Sequence, residues 1–101
     1  MQNMYVIRDE VSYETGDLFC LSNDAVLSRS MASVVASVED ANVLSRMRDS
    51  VVYQVAVVSP DVDGFPIVEP LPRPRLALRV SAVMNVDDSD AELNVGDSDA
   101  E

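Results

Sequence analysis

Histidine and lysine are both missing from this chain, and cysteine occurs once, at Cys20. Without His there is no imidazole base, no Ser-His pairing and no His metal ligand. Without Lys, Schiff-base chemistry and the phosphate-cradling lysine of a P-loop are excluded. One Cys cannot close an internal disulfide, and no Cys cluster exists to hold zinc, which fits a reducing cytoplasm. No run approaches the length of a transmembrane helix, and the opening MQNMYVIRDE lacks the basic-then-apolar order of a secretory signal. The chain therefore reads as soluble and intracellular, with no membrane partner.

What is present supports one folded body. A length of 101 residues with 48% hydrophobic content is enough for a single domain with a modest core and no metal or disulfide staple. The net charge of −11 is unevenly placed. Residues 85–101 hold seven of the eighteen acids and none of the seven Arg, which leaves eleven acids against seven Arg, a charge of −4, over residues 1–84. A mildly acidic body is a poor starting point for binding phosphate backbones.

The clearest structural signal is Val51 to Glu69. Eight residues rich in Val and Tyr lead into a Pro/Asp/Gly cluster and then a second short apolar run, the pattern of a β-hairpin. Val51, Tyr53, Val55 and Val57 share one face of the first arm, and Val52, Gln54, Ala56 and Val58 the other. Both faces are largely apolar, so this arm is expected to be an interior strand. The second arm carries Pro66, which cannot donate to a ladder, and is expected at an edge or beside a bulge.

Upstream, Met4–Arg8 and Leu18–Leu21 read as two strands of a first hairpin, with Gly16 expected to take a positive φ in the turn between them. Ser22-Asn23-Asp24 offers N-cap residues for a helix over 24–38. There Leu27, Met31, Val34, Val35 and Val38 fall within roughly 100° of arc on a 3.6-residue period. A helical turn is expected near Val43–Met47. Pro70 to Arg75 is forced into an extended path, and Leu76–Met84 alternates as a strand while also fitting a helix; the strand is favoured.

The end of the chain is a tandem duplication. MNVDDSDAE (84–92) and LNVGDSDAE (93–101) agree at seven of nine positions. A nine-residue acidic unit cannot build a core, so 85–101 is expected to be a disordered acidic tail.

Three constellations could carry chemistry. Ser59 to Gly64 has the beginning of a calcium loop, but Pro70 stands where the bidentate Glu belongs, and a plain turn needs the same residues. Asp9, Glu10, Glu14 and Asp17 cluster near the first turn with no readable pocket, and solvated loop charges account for them. Arg73, Arg75 and Arg79 lie in a segment with no acid between Pro70 and Val86. That Pro-Arg strip, extended by Arg46 and Arg48, could track a phosphate backbone. An ordinary solvated edge is the bland account. If the strip does bind phosphate, the seven acids of the tail are placed to compete for the same arginines.

Several stretches together resemble one small family. These are MYVIRD, then LFCLSNDAVLSRSM running from a short strand into an amphipathic helix, then RDSVVYQVAVVSPDVDGFPI as strand, turn and strand. The order is similar to that of the small nonstructural protein of gokushovirus-type microviruses, which are single-stranded DNA bacteriophages. The likeness spans roughly residues 4–83. It departs at Leu18-Phe19-Cys20-Leu21, where Pro-Phe is common, and at Met31, where an aromatic is. The resemblance implies a phage nonstructural, DNA-binding role in viral DNA replication or packaging of the single-stranded genome, in the host cell cytoplasm.

The expected fold is α+β, a single domain over 1–84. A small, mostly antiparallel sheet runs β-β-α-β-β plus a final strand or helix, with one amphipathic helix packed on it. Its core is expected from Val6, Phe19, Leu27, Met31, Val34, Val35, Val38, Val51, Tyr53, Val55 and Val57. No catalytic residue, cofactor or metal is called for. The partner is expected to be single-stranded DNA or replication proteins, met through Arg73, Arg75, Arg79, Arg46 and Arg48. The alternative is a protein–protein adaptor using an exposed sheet edge. A homo-oligomer is compatible with either.

Overall fold

The computed structural model describes residues 1–84. The expected tail at 85–101, and with it nearly all of the nine-residue repeat, lies outside the described residues. The order of elements is β1 (Gln2–Asp9), β2 (Thr15–Leu21), α1 (Asp24–Ser37), α2 (Ala41–Arg48), β3 (Ser50–Pro60) and β4 (Pro66–Arg79). A short helical turn over 80–84 follows. The strands form one antiparallel sheet in the order β2-β1-β3-β4. The fold is α+β, β3 is interior, and the Pro66 arm is an edge, as the sequence led us to expect.

Local chemistry explains each boundary. Asn23 caps α1, its Oδ1 accepting from the Val26 N–H at 2.9 Å, and Asp24 sits in the first turn, where the helix dipole favours an anion. Asp40 caps α2 by accepting from the Asn42 and Val43 N–H groups, and Arg46 and Arg48 complement the dipole in its last turn. In the first turn the Asp9 carboxylate accepts from the N–H groups of Val11 and Ser12. The positive φ there belongs to Tyr13, at 63°, and not to Gly16. The second turn closes with Asp61 N–H to the Phe65 carbonyl at 3.0 Å, and Gly64, at φ 85°, supplies the left-handed residue.

All the helical segments lie on one side of the sheet. Leu27, Met31 and Val35 of α1, with Val80 and Val83, are buried against Tyr5 and Val52. Ile7, Phe19, Leu21, Leu44, Met47 and Leu78 close around them. Full burial of each aliphatic side chain contributes about 1.5–3 kcal/mol.

Three further expectations need correction. The strand expected over Leu76–Met84 ends at Arg79; Val80 and Val83 are helical because that brings both, three residues apart, into the core. The stripe on α1 is narrower than expected, since Val34 is 47% exposed and only Leu27, Met31 and Val35 are buried. The third correction concerns β3. Its helix-covered face is the one bearing Val52 and Gln54. Tyr53, Val55 and Val57 are only half-buried, as is Val6 on β1. Gln54 tolerates burial because its amide is hydrogen-bonded on both sides, Nε2 to the Ala56 carbonyl and Oε1 from Arg75 Nε.

Candidate binding face of the sheet

The registers place the side chains of the uncovered face in rows. Leu18, Val6, Tyr53 and Leu76 align across β2, β1, β3 and β4. One row away, Thr15, Arg8, Val51 and Arg79 align in the same way, and there Val51 is buried, as expected of a core residue. Leu18 is 60% and Leu76 42% exposed, so the apolar row is open to water. No helix among the described residues packs over it.

Two irregularities shape this face. Between β1 and β3 the register shifts at Met4/Tyr5, leaving Val55 as the extra residue. Between β3 and β4, Gln54 pairs with Arg75 but Ala56 pairs with Pro70, so residues 71–74 bulge opposite Val55. Pro72 and Pro74 have no N–H to offer a ladder, which is why the strand leaves its register there. The result is an open depression of about 530 Å³ lined by Val6, Arg8, Thr15, Tyr53, Val55, Arg73 and Pro74.

The polar rim is partly fixed. The Tyr53 hydroxyl donates to Glu10 Oε2 at 3.1 Å, which holds the ring on the face. The Arg8 guanidinium lies 4.9 Å from the centre of the Tyr13 ring, a cation–π contact, and its Nε is 3.8 Å from Glu10 Oε2 with no hydrogen bond of its own. The left-handed backbone at Tyr13 helps present that ring to Arg8. Among the described residues Arg73 and Arg79 have no acid partner.

Arg75 belongs to the other face. Its Nη2 donates to both Asp24 carboxylate oxygens at 2.9 Å, and its Nε to Gln54 at 2.8 Å. The buried Tyr5 hydroxyl donates to Asp24 Oδ1 at 2.7 Å and accepts from Asn3 Nδ2 at 3.0 Å. Burial works against ionisation of Asp24, but the Tyr5 hydroxyl and the Arg75 guanidinium outweigh it and hold the carboxyl below its usual range. Burial, together with the nearby Asp24 carboxylate, pushes the Tyr5 phenol up. This network fastens the start of α1 to β1, β3 and β4.

Of the five arginines expected to act together, the structure brings only Arg73 and Arg79 to one face and adds Arg8 to them. Arg46 and Arg48 sit on α2, whose Leu44 and Met47 pack on the opposite side of the sheet. Arg8 was legible in principle, because the alternation of MYVIR puts it with Val6 and opposite Tyr5. Asp9 and Glu10 of the first turn serve local roles. Asp9 is held below the usual carboxylate range chiefly by the Val11 N–H, with Ser12 adding to it. The Asp61 carboxylate accepts from the Asp63 N–H within the second turn. Among the described residues no group of three or more His, Cys, Asp or Glu side chains is placed to hold a metal ion. No described helix is long and apolar enough to cross a membrane. Comparison with known proteins found no matching family model, no similar curated protein and no similar solved structure.

Proposed function

We propose that the protein works by binding rather than catalysis, as an adaptor that docks a protein partner on the uncovered face of its sheet. The single observation that carries this reading is the apolar row Leu18, Val6, Tyr53 and Leu76, exposed at Leu18 and Leu76 and half-buried between them, with a depression beside it. An open apolar sheet face is costly in water and is characteristic of interaction surfaces. The face is a better docking surface than the β4 edge. Pro66, Pro70, Pro72 and Pro74 deprive that edge of N–H donors, the usual protection against strand addition. The resemblance to a microvirus nonstructural protein supports a reading of the chain as a phage accessory factor acting in the host cytoplasm during single-stranded genome synthesis or packaging.

Direct binding of single-stranded DNA is the second reading. It is favoured by the placement of Arg8, Arg73 and Arg79 around Tyr53, a cationic rim with an aromatic platform. The overall charge of −11 weighs against it.

A photo-crosslinking residue placed at Leu18 or Leu76 during infection is expected to yield discrete protein adducts, and the same probe at exposed Ser33 on α1 none. Adducts from all three positions, or from none, refute the adaptor reading. A thymidine 20-mer titrated at about 50 and about 200 mM salt decides the second reading. Affinity that falls steeply with salt and disappears in Arg73→Ala/Arg79→Ala establishes DNA binding; no affinity at the lower salt removes it.

A further inference from the structure

We propose that the acidic segment 85–101 of the same chain is an intramolecular ligand of the uncovered sheet face and competes there with the partner. This rests on the reading of that face as the working surface. Three observations meet in it.

The first is charge. Arg8, Arg73 and Arg79 share the face, and neither Arg73 nor Arg79 has an acid partner among the described residues. The segment holds seven acids and no base.

The second is chemistry of the right kind in the right order. Each repeat presents one valine ahead of its acids, Val86 directly before Asp87 and Val95 one glycine before Asp97. The depression matches that order, with an apolar floor of Val6, Val55 and Pro74 and guanidinium groups at its rim. A volume of about 530 Å³ accommodates a short aliphatic side chain together with neighbouring carboxylates.

The third is reach. The segment follows the helical turn over 80–84, whose Val80 and Val83 pack on the covered face, so it reaches Arg73 by passing round the β4 edge. Arg73 lies six residues back along β4, about 20 Å for an extended strand. Residues 85–101 can span up to about 56–61 Å. Tethering gives such a ligand a local concentration in the millimolar range, and two copies of the unit raise its occupancy further.

The test compares the full-length chain with a full-length variant in which all seven acids are amides: D87N, D88N, D90N, E92Q, D97N, D99N and E101Q. The expected result is a set of backbone amide shift differences concentrated at Val6, Arg8, Tyr53, Val55, Arg73 and Arg79. These should shrink in about 0.5 M NaCl, where the screening length falls to about 4 Å, and be absent when the comparison is repeated in an Arg73→Ala/Arg79→Ala background. A synthetic peptide of residues 85–101 added to the neutralised variant should restore the wild-type positions. An unperturbed sheet face, or differences centred on Arg46 and Arg48, overturns the proposal. Differences that scale with protein concentration overturn it too, since the ligand would then be the segment of a second copy. No external partner enters this measurement, so it can fail while the docking proposal stands, and the reverse.

Discussion

The two faces of the sheet are built from the same strands and nearly the same residue types, yet they are finished in opposite ways. On the covered face, Tyr5, Val52 and Leu78 are closed under three helical segments. Every polar group brought there is tied down, as the chain from Asn3 through Tyr5 and Asp24 to Arg75 and Gln54 shows. On the other face, Val6, Tyr53 and Leu76 form a similar apolar row; among the described residues no helix covers it and two of its three arginines have no acid partner. One face is spent on stability, and the other is left as surface. The contrast teaches that apolar alternation in a strand does not by itself say which side is core.

Charge insertion gives the largest test of that contrast. Val52→Asp places an unpaired carboxylate where exposure is 0% and should cost more than about 4 kcal/mol, enough to unfold a domain of ordinary stability. Val55→Asp, on the opposite face and half-buried beside the depression, should cost about 1–2 kcal/mol and still give a cooperative urea transition. Equal losses would erase the distinction between the faces. Truncation should separate them by a smaller margin. Leu27→Ala is expected to lower stability by about 2–5 kcal/mol, while Leu76→Ala changes it by no more than about 0.5 kcal/mol.

The arginines supply a finer comparison. Arg75→Ala strands the buried Gln54 carbonyl and should cost about 1–2 kcal/mol, with little of that from its exposed ion pair. Arg73→Ala should leave the melt within about 0.5 kcal/mol of wild type. The smallest effect is in pH. Because the folded Asp24 carboxyl lies below its unfolded value, its contribution is fully present above about pH 3.9 and is lost as pH falls through the folded value. Asp24→Asn should therefore flatten the acid limb of stability between pH 5 and pH 2, measured by urea midpoints, with Asp9 leaving a residual slope.

Much of this architecture is legible in the sequence. The Pro/Asp/Gly turn, the Asn23 cap and the donor-lacking Pro66 determine one hairpin, a helix and an edge by local chemistry alone. The inward face of β3 is not legible, because Gln54 looks like a solvent residue. Its burial depends on Arg75, a partner 21 positions away. The candidate site was half legible for the same reason. Arg73 and Arg79 stand in an acid-free segment, but the residues 71–74 that bulge between Ala56 and Gln54 send Arg73 and Arg75 to different faces. Only the register reveals this.

The seam between β1 and β3 also has a consequence in time. Each hairpin pairs residues close in sequence, whereas the seam joins position 8 to 51 and position 2 to 58, with both helices inside the closed loop. Closing a loop of that length costs about 1 kcal/mol more chain entropy than closing a ten-residue one. We therefore expect the hairpins to form early and the seam to be the rate-limiting event. Asp61→Ala in the second turn should then mainly slow folding, and Ile7→Val at the seam should divide its effect between the two rates; an Asp61→Ala that mainly speeds unfolding in a chevron analysis would refute this order.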